Sequence, residues 1–207
     1  MPVSPPRSRR LGLLAAPLLV LVLAAPAAAP VAEPGVTADA LLARCFGLRR
    51  NRPRRALDLA EPLLADPKLD TGRRIKAMSC QGVAANVIGE DARAVAVADR
   101  IAAELEDHPE LTDAYRMRAL SNLGAILHGA GQIYRAEQVY AQTLEIGARV
   151  GGQDGVRMHA STLNNIGMVH ADYLDSPQAA DGYFQQALAL SRTVGDRDPL
   201  LLYNFAV

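Results

Sequence analysis

From Ala38 onward the apolar positions recur at intervals of three and four residues, broken by short polar or glycine-containing stretches, and no alternating run of β-branched residues replaces them. That is the period of helices with one buried face, so the chain reads as helix, turn, helix, repeated. Two stretches superimpose. Gly82 to Ala102 (GVAANVIGEDARAVAVADRIA) lies over Gly124 to Leu144 (GAILHGAGQIYRAEQVYAQTL), with Gly82 and Gly124, Gly89 and Gly131, and Ala94 and Ala136 each 42 residues apart. A third copy sets Gly167 43 residues beyond Gly124 and Ala180 44 beyond Ala136, which makes its turn, Tyr173-Leu174-Asp175-Ser176, one residue longer. A weaker first copy uses Ala43 for the glycine and Ala56 for the alanine. A period near 40 residues with two helices per unit predicts an all-α fold, an α-solenoid of tandem helix-turn-helix units.

Helix contact explains the residue types. Each first helix carries a small residue (Ala43, Gly82, Gly124, Gly167) where the second helix crosses, and the second helix sets its own small residue opposite (Ala56, Ala94, Ala136, Ala180). Small against small lets the backbones approach. Leu42, Leu123 and Ile166 then fill one side of the crossing, and Ala60, Ala98, Tyr140 and Phe184 are expected to pack towards the next unit. Gly89 and Gly131 release the chain between the helices as C-terminal glycine caps. The expected units are about 38–70, 72–107, 113–150 and 156–195. A fifth starts near 198, where Asn204-Phe205-Ala206 stands in the place of Asn122-Leu123-Gly124. An uncovered apolar face at that end is unusual for a solenoid, so the sequence is expected to be a fragment of a longer chain.

The third and fourth units carry a nameable pattern. Asn122-Leu123-Gly124, Gly131, Ala136 and Tyr140, and Asn164-Asn165-Ile166-Gly167, Ala180, Phe184, Ala187 and Leu188, place a large aliphatic then glycine in the first helix and alanine then an aromatic in the second. On those residues the chain resembles the tetratricopeptide repeat family over 38–207, in the long-unit subgroup seen in peptide-sensing regulators and kinesin light chains. The resemblance implies a right-handed superhelix whose concave groove, lined by first helices, takes extended or helical peptides. The family's Trp is absent from every unit, Thr143 replaces the usual second alanine, and Leu174 stands where the turn glycine belongs.

The first residues are of another kind. Arg7, Arg9 and Arg10 precede an apolar run, Leu11 to Ala25, and the small residues Ala25-Pro26-Ala27 follow. This order is that of a secretory signal peptide, assigned to residues 1–27, with a Pro-rich linker at 28–37. The expected location is the periplasm of a bacterium or the medium outside it. An uncleaved membrane anchor and a twin-arginine signal are the alternatives. The chain's 22 Lys+Arg balance its 22 Asp+Glu, which gives no overall basic field for phosphate, and nucleic acid is not an expected partner. Membrane contact is expected only if the signal segment is uncleaved or the chain continues.

Candidate binding residues come from stacking the units. Asn122, Asn165 and Asn204 recur once per unit, two residues before the small crossing residue, which aligns them on the groove. A primary amide both donates and accepts, which suits a peptide backbone, and in peptide-binding relatives such asparagines contact ligand main chain. Lys76, Ser79, Asn86, Arg118, Ser121, His128 and Asn164 are neighbouring candidates, and Arg116 and Arg118 with Lys76 are positioned for an acidic ligand. Solvation or bonding within the solenoid is the competing reading of each. Cys45 and Cys80, the only cysteines, fall in adjacent first helices at non-equivalent positions, so a disulfide is possible in an exported chain but two buried thiols are preferred. The four histidines, His108, His128, His159 and His170, lack zinc-ligand spacing, and no metal or cofactor is expected. Gly129-Ala130-Gly131 lacks the third glycine and preceding strand of a dinucleotide loop, and no Gly-x-Ser-x-Gly elbow is present. The carboxylates around Pro109 (Glu104, Glu106, Asp107, Glu110) read as solvated.

The expectation is therefore an exported binding module for a protein or peptide, without catalysis of its own. The alternative is the extracytoplasmic sensor portion of a signalling protein, such as a diguanylate cyclase or histidine kinase.

Overall fold

The computed structural model describes residues 36–195, and among these the secondary structure is eight α-helices and no strand. They are α1 (Ala38–Leu48), α2 (Pro53–Ala65), α3 (Thr71–Val87), α4 (Asp91–Asp107), α5 (Asp113–Gly129), α6 (Ile133–Gly147), α7 (Gly152–Asp172) and α8 (Pro177–Thr193). Each odd-numbered helix packs on the even-numbered helix that follows, and each of α2, α4 and α6 packs on the first helix of the next pair. The fold is an all-α solenoid of helix pairs. The expected signal segment, nearly all of the expected linker, Asn204 and the expected start of a fifth unit lie outside the described residues.

The two layers differ. The backbones of α1 and α3, α3 and α5, and α5 and α7 come into contact, whereas no two of α2, α4, α6 and α8 do. A layer whose members touch is the contracted side of a curved stack, so the first helices form the concave face. The splayed second helices are linked by longer reaches: Arg93 of α4 pairs with Glu61 of α2, and Arg135 of α6 with Asp99 of α4.

Local sequence sets the helix ends. The side chains of Thr37, Asp70 and Thr112 accept from Ala40 N (3.3 Å), Arg73 N (3.0 Å) and Tyr115 N (3.3 Å), satisfying first-turn amides of α1, α3 and α5. Within the pairs, Gly89 (φ +77°) and Gly131 (φ +73°) take the left-handed conformation. The next amides, Glu90 N and Gln132 N, reach back to Ala85 O (2.9 Å) and Leu127 O (2.8 Å). That closes both first helices with the same six-residue turn. In the longer turn after α7 it is Asp175, one residue beyond Leu174, that takes positive φ (45°), and Ser176 N reaches His170 O at 3.2 Å.

The interior corrects the small-against-small expectation. A Cβ on Gly124 would meet the Tyr140 ring, at 2.7 Å from Cδ1, and a Cβ on Gly167 the Phe184 ring, at 2.7 Å from Cδ1. Each glycine thus seats the aromatic of its own pair's second helix. Tyr140 and Phe184 thus rest on the glycine of their own unit, and Tyr140 also lies in one buried cluster with Ile166 and Val169 of α7, the next unit. Gly82 differs: its Cβ would lie 2.7 Å from Ile126 Cδ1, so it receives a side chain of the following first helix. The first unit is shifted too. Ala43 is exposed, while Cys45 is fully buried in one cluster with Ala56, Leu57, Ala60, Cys80 and Ala84. Ala94, Ala136 and Ala180 are buried as expected, and Thr143, also buried, satisfies its hydroxyl on Val139 O at 2.8 Å.

Cys45 and Cys80 are joined as a disulfide, with their Cα atoms 6.2 Å apart. This replaces the preferred expectation of two buried thiols. The physical reason is the register shift just described: with Cys45 rather than Ala43 turned inward from α1, its Cβ faces α3 at the level of Cys80.

Candidate binding groove

The solvent side of the first-helix layer is a stripe of equivalent positions. Lys76 in α3 and Arg118 in α5 are 42 residues apart and both exposed, and Ser161 takes the same place in α7. One turn later stand Cys80, Asn122 and Asn165. Helical spacing of four sets Arg118 over Asn122 and Ser161 over Asn165 on one face. Both asparagines are half-buried, and among the described residues neither side-chain amide has a hydrogen-bond partner. Two half-buried amides thus occupy equivalent positions on adjacent first helices, α5 and α7, which are in contact. Cys80, the equivalent in the second unit, is consumed by the disulfide.

Other candidates are withdrawn from this face. Asn86 donates Nδ2 to Ile126 O at 2.8 Å and ties α3 to the end of α5; Gly129 is glycine where a Cβ would collide with that amide. Ser79 is buried and donates to Ile75 O at 2.8 Å, and Ser121 is buried. Arg116 donates Nη1 to Leu105 O (3.0 Å) and His108 O (3.1 Å), closing the C-terminal end of α4. The expected cationic trio of Lys76, Arg116 and Arg118 is therefore a pair. Asn164 is half-buried and engaged within the chain.

The ends of the stripe are shaped by rings. Tyr115 of α5 donates its hydroxyl to Gly72 O of α3, and burial pushes its phenol up to about 12. At the other end His128 meets Tyr173 edge-on, with centroids 5.4 Å apart, and desolvation lowers its imidazole pKa, partly offset by Asp172. The neutral form of His128 is therefore favoured near pH 7. Sequence reasoning did not find Tyr173 as the partner of His128, because the longer fourth turn hid the equivalence of its neighbours.

Ionisable groups elsewhere serve the frame. Arg73 bridges Asp39 (2.6 Å) and Asp70 (2.6 Å), and its hydrogen bond is the chief reason the Asp39 carboxyl lies below the usual range. His108 sits between Glu110 (2.8 Å) and Thr71 (3.2 Å) and pins the end of α4 to the start of α3. Glu104 reaches Arg74 at 3.6 Å, so it is paired rather than merely solvated. Among the described residues no group of three His, Cys, Asp or Glu converges on a metal position, and no helix is long and apolar enough to cross a membrane.

One further signal went unread in the sequence: Arg49-Arg50-Asn51-Arg52-Pro53-Arg54-Arg55, at the turn between α1 and α2. A balanced whole-chain charge concealed it.

The tetratricopeptide repeat model matches residues 115–193, which span nearly all of α5 to α8. Such repeats are in general protein-interaction modules rather than enzymes. No curated protein matches the chain.

Proposed function

We propose that the protein is an exported binding module that holds a protein or peptide segment in the concave face of its first helices and carries out no chemistry of its own. Units one and two, which lie before the matched residues, are divergent long copies of the same repeat. The observation that carries the reading is the pair Asn122 and Asn165: equivalent positions, half-buried, and without an internal partner. A half-buried amide without a partner sacrifices hydrogen bonding unless something supplies it, and a peptide backbone supplies both a donor and an acceptor. Arg118 and Lys76, one turn away, add positive charge for a ligand carboxylate, and the neutral His128 closes the far end. A place outside the cytoplasm agrees with the apolar segment Leu11 to Ala25 and with the Cys45–Cys80 bridge.

The test uses peptides selected from a random display library on the full chain. Replacing Asn122 and Asn165 together by Ala removes two amide contacts of about 0.5 to 1.5 kcal/mol each, so affinity by fluorescence anisotropy falls roughly 5- to 150-fold. Helicity stays unchanged. Peptide affinity equal to that of the parent would sink the groove assignment.

A further inference from the structure

We propose that the turn between α1 and α2 is a docking patch for an anionic lipid bilayer. Between Asp39 and Asp58 the chain has six arginines, Arg44, Arg49, Arg50, Arg52, Arg54 and Arg55, and no carboxylate. By contrast Arg73, Arg93, Arg135 and Arg149 each hold an Asp or Glu, and Arg44 is engaged too. Among the described residues no carboxylate forms an ion pair with Arg49, Arg50, Arg52, Arg54 or Arg55.

The placement also works against the helix it occupies. The positive end of a helix dipole favours acids, yet α2 has no acid in its first turn and no side-chain cap, and begins Pro53-Arg54-Arg55 behind Arg52. The free first-turn donors and the guanidinium groups of Arg52, Arg54 and Arg55 add to a single positive field. A local rule broken so densely marks a functional surface. Arg49 is held in place, donating to Phe46 O and lying 4.7 Å over the Phe46 ring. Burial and the neighbouring charge of Arg50 make its protonation harder than usual, which shows the crowding of uncompensated charge.

Shape and surroundings select the kind of anion. Arg52, Pro53, Arg54, Arg55 and Ile88 line an open hollow of about 320 Å³ on the edge formed by the turns within each pair. Beside it Val87, next to Ile88 at the end of α3, is 48% exposed. Arginines beside a protruding aliphatic side chain suit the headgroup region, where charge meets phosphate and an apolar tip enters the acyl boundary. An extended polyanion running along the array fits less well. Taking the six arginines from the 22 Lys+Arg leaves 16 against 22 Asp+Glu, so the rest of the chain would repel it. A plane that touches only the first-unit corner avoids that repulsion. None of these residues belongs to the groove, so the patch and the groove stand or fall separately.

Co-sedimentation of the full chain with vesicles tests the assignment. Vesicles of phosphatidylcholine alone are compared with vesicles holding about 30% phosphatidylglycerol, at low and high salt. Three proteins are used: the parent, a variant with Arg50, Arg52, Arg54 and Arg55 all changed to Gln, and one with the same four changed to Lys. The parent binds anionic vesicles in a salt-sensitive way, the Gln variant loses about a hundredfold or more in partition coefficient, and the Lys variant stays within about threefold of the parent. On neutral vesicles the three are equal, which removes any contribution of the N-terminal apolar segment. Circular dichroism checks the fold; should the Gln variant unfold, the salt dependence of the parent and the Lys variant decides. Equal partition of the parent on both vesicle types, a Gln variant that binds like the parent, or tighter binding to a single-stranded oligonucleotide than to vesicles at the same salt would each overturn the proposal.

Discussion

Gly124 and Gly47 both sit inside helices, and the same substitution is expected to act on them with opposite sign. At Gly47, in α1, an added Cβ meets nothing within 4 Å. Gly47→Ala therefore gains helix propensity alone, up to about 1 kcal/mol. At Gly124 the new methyl would lie 2.7 Å from Tyr140 Cδ1 and 2.9 Å from Cζ. Tyr140 is fully buried among Ile126, Leu127, Ala136 and Ile166, so its ring has no free volume into which to retreat. Overpacking of this kind costs about 1 to 3 kcal/mol, which outweighs a propensity gain of about 1 kcal/mol. With contacts under 3.0 Å to a ring that cannot retreat, the upper half of that range, about 2 to 3 kcal/mol, applies; the net loss is then roughly 1 to 2 kcal/mol, or roughly 2 to 8 °C in Tm for a chain of this size. Thermal unfolding followed by circular dichroism at 222 nm, with urea unfolding as a check, reads both variants against the parent. Gly124→Ala as stable as the parent would mean that Tyr140 does not seat on that glycine, and the packing of α5 on α6 would have to be redrawn.

Reduction of the disulfide and lowering of pH give two further tests. Closing a loop with a sequence separation of 35 stabilises by about 4 kcal/mol on the chain-entropy estimate. Dithiothreitol, or Cys45→Ser with Cys80→Ser, should therefore lower the first unfolding transition, and thiol titration under denaturing conditions should find no free thiol before reduction; two free thiols in the unreduced chain would refute the bridge. His128 and His159 are both lowered by desolvation, so the folded state binds fewer protons than the unfolded one just below pH 6.5. Stability should fall as pH drops from about 7.5 to 5.5, and His128→Gln with His159→Gln should flatten that slope. The lowered carboxylates Asp39, Asp70 and Asp113 act in a separate window, below pH 4, where protonation removes their arginine contacts. A double variant with the parent's pH profile would refute the assignment to the two imidazoles.

The helix order was legible because the repeat multiplies weak signals: Gly89 and Gly131 mark the same turn 42 residues apart, and each copy supports the other. What side chains do across a helix crossing was not legible in the same way. A glycine followed by an alanine one helix later is compatible with backbone approach at the alanine or with a cleft for the aromatic four residues beyond it. Only the rotation of α6 and α8 decides, and it brings Tyr140 and Phe184 to Gly124 and Gly167. In the first unit the aligned position, Ala43, is exposed, because the turn Arg49 to Arg52 lengthens the connection and rotates Cys45 inward. That one shift also hid the disulfide. The groove was legible as a register of Asn122 and Asn165. Which neighbours remain free depended on hydrogen bonds with partners about 40 residues or a whole helix away, such as Asn86 on Ile126 and Arg116 on Leu105.

The most direct measurement of where a ligand sits is photo-cross-linking of a selected peptide from two positions. Benzoylphenylalanine is placed at Arg118, exposed on the concave first-helix layer, and separately at Gln138, exposed on α6 of the outer layer. Cross-links from position 118 that unlabelled peptide competes away, with none from position 138, are the expected result. Competed cross-links from 138 and none from 118 would place the ligand on the outer layer and contradict the groove.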